Sequence, residues 1–258
     1  MLVDSHCHLE YEGLVEDQAG ALDRAREAGV QSFLNISTKQ AEWAQVVGTA
    51  RATPDVYASV GIHPHNADDH VDLTREELRA ATDEPKVIGI GETGLDYYYD
   101  HSDREAQQRL FRLHIDVARE VQLPVIIHTR DAEDDTLAIL QDEMGKGAFP
   151  ALIHCFTASA DFGRAVLDLG LSVSISGIVT FKSARDLQEF AREIPRDRLL
   201  VETDSPFLAP VPHRGKPCEP GYVRDTARFL ADLRDESLEE LADYTTRNFH
   251  SLFAKASA

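Results

Sequence analysis

Cysteine is scarce in this chain: Cys7, Cys155 and Cys218 are the three in 258 residues, and no C-x-x-C pair occurs. So few, and odd in number, they exclude a disulfide scaffold and a thiolate zinc site and point to a reducing compartment. No apolar run approaches about 18 residues, and the strand-like segment at Leu2 has no basic leader ahead of it, so the expectation is a cytoplasmic protein without a membrane span. Repeats, low-complexity tracts and Gly/Ser linkers are also missing, and one domain over residues 1–258 accounts for the length. Basic residues are in deficit, 26 against 45 acidic ones, for a formal charge of −19. That field opposes sequence-independent coating of a polyanion, leaving phosphate to be attracted locally, where bound cations reverse the sign.

What is present is a core-forming composition, 43% hydrophobic and 28% charged. Eight segments rich in Val, Ile and Leu read as strands, at 2–8, 32–36, 56–62, 87–92, 124–128, 151–155, 171–176 and 199–204. Between them lie stretches of helical spacing: 19–28, 42–52, 75–81, 104–121, 135–143, 160–169 and 184–193. The clearest stripe is Leu110, Leu113, Val117 and Val121. This alternation predicts parallel strands with crossover helices. The Pro- and Gly-rich stretch Ser205 to Tyr222 reads as a long loop, and a last helix from Glu236 to Phe253 is expected to close the fold from outside.

Alternation alone does not separate a closed barrel from a doubly wound open sheet. The strand ends do. The first, fourth, fifth, sixth and eighth segments finish in potential metal ligands: His6 and His8, Glu92, His128, His154, and Glu202 with Asp204. An open sheet gathers its site between a few strands at one switch point, whereas ligands from these five meet if the sheet closes. The expected fold is therefore a single α/β chain, a (β/α)8 TIM-type barrel with its site at the C-terminal ends of the strands.

His6 and His8, two apart on a strand, share one face while Cys7 turns to the other; Cys155 beside His154 reads likewise as packing. Glu92 stands where a carboxylate can bridge two metals, with Gly89, Gly91 and Gly94 leaving room for close backbone approach. No lysine ends the fourth segment, so a carbamylated-lysine bridge is excluded there. Asp204, on the same face as Glu202 and nearer the mouth, is the candidate ligand and proton acceptor; Glu202 is a supporting or additional ligand. His63 is placed to touch substrate or donate to a leaving group, and Arg130, Lys182 and Arg214 to surround an anion. His65, His70 and His101 read as solvated, His114 as structural, and none of them is assigned chemistry.

These residues also resemble the TatD family of metal-dependent hydrolases, within the amidohydrolase-like barrels. The resemblance runs nearly the full chain, through Asp4-Ser5-His6-Cys7-His8-Leu9, Gly61-Ile62-His63-Pro64-His65, Gly89-Ile90-Gly91-Glu92-Thr93-Gly94-Leu95-Asp96-Tyr97, Pro124 to Ala132, Ile153-His154-Cys155-Phe156, Gly177 to Lys182 and Glu202-Thr203-Asp204-Ser205-Pro206. It implies a deoxyribonuclease-type phosphodiester hydrolase with two divalent ions, Mg, Mn or Zn. His6, His8 and Asp204 match the ligands of one ion, His128 and His154 those of the other, and Glu92 the bridge. DNA ends or single strands are the implied substrate, with a metal-activated water as nucleophile. The alternative on the same site is a D-aminoacyl-tRNA deacylase or other ester or amide hydrolase; the third reading is a non-catalytic metal-binding scaffold. A monomer with no obligate protein partner is expected.

Overall fold

The computed structural model describes every residue except Asp100 and Ala258. The chain runs β1 (Leu2–Cys7), α1 (Gln18–Glu27), β2 (Val30–Asn35), α2 (Trp43–Ala52), β3 (Val56–Val60), α3 (Arg75–Ala81), β4 (Val87–Asp96), α4 (Arg104–Val121), β5 (Val125–Arg130), α5 (Glu133–Lys146), β6 (Ala151–Ile153), α6 (Ala160–Asp168), β7 (Ser172–Ile175), α7 (Arg185–Glu193), β8 (Leu199–Val201), α8 (Val223–Leu233) and α9 (Leu238–Leu252). Strands β1 to β8 pair in sequence order, all in parallel.

At the seam between β1 and β8 the backbone bonds lie beyond the regular strands. His8 N–H donates to Ser205 O at 2.8 Å, and Asp204 N–H donates to His6 O at 2.9 Å. Below them the buried Asp4 carboxylate takes the place of a neighbouring strand's carbonyls, accepting from Thr203 N–H at 2.9 Å and from the Thr203 hydroxyl at 2.6 Å. A closed TIM-type barrel, as expected from the strand ends, is the result.

Strand alternation divides the core in two. Phe33, Val125, Ile127, Ile153, Leu199 and Val201 pack outward beneath the helices. Val3, Leu34, Ile88, Ile126, Leu152 and Leu200 fill the barrel interior. Two residues further along the same inner phase come His128, His154 and Glu202, so the packed floor of the cavity and the ligands above it obey one periodicity. On β1 and β4 the register shifts, between Asp4 and Cys7 and between Ile90 and Thr93, and these shifts reset the phase. Cys7 thus joins the outer core while the histidines either side of it face in.

One helix goes beyond the expectations and one expectation is corrected. The segment after Tyr222, for which no element was expected, is helical: α8 buries Val223, Ala227, Leu230 and Ala231, an apolar stripe at helical spacing. The last helix does not close the barrel from outside. Phe249 and the following Phe253 are fully buried in the inner cluster, and Asn248 donates to Leu199 O at 2.8 Å at the entry of β8, so α9 plugs the N-terminal mouth. Phe253→Ala should destabilise the fold by about 3–5 kcal/mol, read as a fall in urea midpoint, while the folded fraction keeps its metal binding.

Candidate metal centre

The cavity of about 920 Å3 at the C-terminal ends of the strands is lined by His8, His63, Glu92, His128, His154 and Asp204 among others. Glu92 reaches it from a backbone without slack. A Cβ on Gly94, at φ +134°, would lie 2.0 Å from His128 O, so β4 and β5 approach closely enough to set Glu92 against His128.

The two oxygens of Glu92 face different partners. Oε2 lies 3.5 Å from His6 Nε2 and 3.8 Å from His8 Nε2, and Asp204 Oδ1 lies 3.6 and 3.4 Å from the same two nitrogens. The nitrogens are 3.3 Å apart. Ligands about 2.1 Å from a tetrahedral ion stand about 3.4 Å from one another, so these four atoms have the spacing of a coordination shell. Oε1 turns the other way, 2.7 Å from His154 Nε2, 3.2 Å from His128 Nδ1 and 3.4 Å from His63 Nε2.

Hydrogen bonds at the far side of the His128 and His154 rings assign their nitrogens. Asp96 Oδ2 holds His128 Nε2 at 3.0 Å, which leaves Nδ1 as the free lone pair toward Glu92. Glu202 Oε1 lies 3.4 Å from His154 Nδ1 and frees Nε2 in the same way, while its Oε2 accepts from the Ser174 hydroxyl. Glu202 is fully buried behind the ligands, and the supporting role fits its position. His63 is different. Its Nδ1 accepts from His65 N–H at 3.1 Å, so in the neutral ring Nε2 carries the hydrogen and acts as a donor.

The electrostatics match a cation site. Burial alone would raise the Glu92 pKa, but His154, His63 and His128 hold it well below the carboxylate range. Burial opposes ionisation of Asp204 too, and His8 and His6 outweigh it. Burial keeps His6 and His63 neutral, the form that binds metal or donates a hydrogen bond. For His154 burial is overcome by Glu92 and Glu202, so a proton and a metal cation compete for one nitrogen. That Nε2, together with Nδ1 of His6 and of His8, is buried without a hydrogen-bond partner. Two carboxylates and the four imidazole rings that face them make a donor set that fits divalent cations.

A sequence model described as TatD related DNase matches residues 3–254. The chain belongs to the TatD family. It is 46% identical to the Escherichia coli K12 protein named uncharacterized metal-dependent hydrolase YcfH, over 98% of this chain and 95% of that one. It is 34% identical to the Pantoea vagans protein named 3′-5′ ssDNA/RNA exonuclease TatD, over 99% and 100% of the two chains. The crystal structure of the TatD homologue YJJV from Escherichia coli K12 superposes with a TM-score of 0.91 at 28% identity, covering 98% of each chain. A metal-dependent hydrolase on a TIM-type barrel is thereby shown.

The residues expected to meet substrate sort themselves around the cavity. Arg130 lines the cavity, its guanidinium 3.9 Å from the Tyr98 ring centre and 4.7 Å from that of Tyr99. Lys182 and Arg214 are exposed and stand off the cavity wall; Arg214 lies over Phe181. Lys39, which sequence reasoning passed over, is on the wall instead. His65 is not a solvated bystander: it lines the cavity and meets Asp96 Oδ2 at 2.9 Å. His70 is half-buried, with Nδ1 2.8 Å from Asn66 O. Cys155 does not turn away. β6 ends at Ile153, Cys155 takes φ +44°, and the residue lines the cavity. Asp204 likewise lies beyond β8 at φ +57°, so its direction comes from that turn and not from strand alternation with Glu202. His114 is structural as read, accepting from Ile62 N–H at 3.0 Å.

Asp96, fully buried along its side chain, is the residue that sequence reasoning missed as an organiser of the site. Asp96→Asn should weaken one of two metal-binding events by about 10–100-fold and leave the other near wild type. Calorimetric titration of the metal-stripped protein with Mn2+ checks this; two unchanged affinities would remove Asp96 from the metal account.

Proposed function

We propose that this protein is a metal-dependent phosphodiesterase of the deoxyribonuclease type, with ends or single strands of DNA as substrate. The observation that carries the reading is the division of the two Glu92 oxygens between the His6–His8–Asp204 group and the His128–His154 group. Two divalent ions held there would polarise the phosphate, lower the pKa of a water and clamp the attacking and leaving oxygens. His6, His8 and Asp204 would hold the first and His128 and His154 the second, with Glu92 serving both.

The other steps fall to the protein's own groups. Asp204 is held ionised, with its side chain 15% exposed at the cavity, and accepts the proton of the attacking water. His63 is neutral with hydrogen on Nε2 and donates a hydrogen bond to the leaving oxygen, stabilising its developing charge without proton transfer. Arg130 and Lys39 supply fixed cations for the phosphate and offset the acidic surface locally. The name of the Pantoea vagans relative supports the choice of nucleic acid.

Metal-stripped protein incubated with end-labelled single-stranded DNA should shorten it once Mg2+, Mn2+ or Zn2+ is restored. Glu92→Ala or His128→Ala should lower the rate at least about 1,000-fold with an unchanged circular dichroism spectrum. Release of the aminoacyl group from D-aminoacyl-tRNA, with DNA untouched, would replace this reading by a deacylase on the same centre.

A further inference from the structure

Aromatic residues make up 7% of the chain, and among the described residues the large exposed ones are Tyr98, Tyr99 and Phe207, at 55%, 48% and 49%. Nothing in the packing of the barrel requires this exposure. Tyr99 and Phe207 both line the cavity that holds the metal centre, and Tyr98 lies beside it under Arg130.

The two cavity rings stand on opposite sides of the mouth. Tyr99 follows β4 and Arg130 ends β5, whereas Phe207 follows β8 and packs edge-on to His8 beyond β1, with centroids 6.3 Å apart. Each ring is tied to the centre by its backbone. Tyr99 N–H donates at 3.0 Å to Asp96, the carboxylate that holds His128, and Phe207 N–H donates at 2.9 Å to the carbonyl of Asp204. Tyr99 is also backed by the His101 ring, 5.5 Å away and within 3° of parallel. Two aromatic faces are thus fixed in position relative to the metal ligands and left partly open to solvent.

We infer that Tyr99 and Phe207 are stacking subsites for unpaired bases on the two sides of the scissile phosphodiester; this rests on the nucleic-acid reading above. The charge balance favours bases over phosphate as the source of grip. At −19 the protein as a whole repels a polyanion, and Arg130 and Lys39 are two cations on the cavity wall. A ring beside the cavity binds any base through its π-face without sequence preference, and Arg130 over Tyr99 adds a cation to that platform. A duplex keeps its bases stacked inside and offers the rings nothing, so the arrangement selects frayed or single-stranded ends.

The test is equilibrium binding of Mn2+-loaded protein, by fluorescence anisotropy, to a phosphorothioate-linked hexathymidylate and to an abasic strand of the same length and charge. The wild type should bind the base-bearing strand about ten-fold more tightly. Tyr99→Ala and Phe207→Ala should each erase most of that preference without weakening the abasic strand, and Tyr99→Phe should keep it. Equal binding of the two strands by the wild type, binding of neither, or an equal loss on both strands in the variants would overturn the inference. Cleavage of the unmodified strand is scored separately. A base preference without cleavage would leave the stacking subsites standing and remove the nuclease reading alone.

Discussion

A carboxylate buried among histidines is the constraint on which the rest of this molecule depends. Glu92, 3% exposed, stays ionised there because cationic groups or histidine hydrogen bonds surround it; isolated, burial would protonate it. Its partners come from the ends of β1, β5 and β6 and from the loop after β3, and these meet because the sheet closes. Closure is made by backbone bonds of His6 and His8 to the chain after β8, and the buried Asp4 side chain adds to it by joining β1 to Thr203. Asp96 and Glu202 then orient His128 and His154 from behind. The chemistry and the fold are held by one network of acids, and each member is satisfied by a neighbour or by the cations the site is built to take.

Much of this was legible because a parallel barrel makes periodicity and function coincide. In Ile126-Ile127-His128 and Leu152-Ile153-His154 the inner-facing apolar residue precedes the ligand by two, so reading the strand also located the site. What escaped reading lies where alternation stops. Cys155 and Asp204 sit past the ends of β6 and β8 in left-handed conformations, and their directions follow from a turn. Asp96 and His65 escaped because their role is a contact between chain segments 31 residues apart, which no local pattern carries. The helix α8 escaped because its stripe begins directly after a Pro- and Gly-rich loop. Lys39, far in sequence from every ligand motif, reached the cavity wall through the loop after β2, whereas Lys182 and Arg214, which adjoin expected motifs, did not.

The acidity of the chain and the proposed phosphodiester substrate are reconciled by scale. Over long distances the net charge repels a polyanion and solvent ions screen it; within the cavity, cations bound at Glu92 and Asp204, as proposed, would set the local sign. The proposed selectivity for accessible ends would follow, because only a strand that enters the cavity leaves the repulsive field and meets the attractive one.

The central claim is that Glu92 joins two ions into one centre. Electron paramagnetic resonance of the metal-stripped protein reloaded with Mn2+ tests it directly, because two ions about 3.5–4 Å apart sharing a carboxylate couple magnetically. The account predicts an exchange-coupled two-manganese spectrum that reverts to isolated Mn2+ signals in Glu92→Ala. A spectrum of isolated ions in the wild type, at full metal loading, would contradict it.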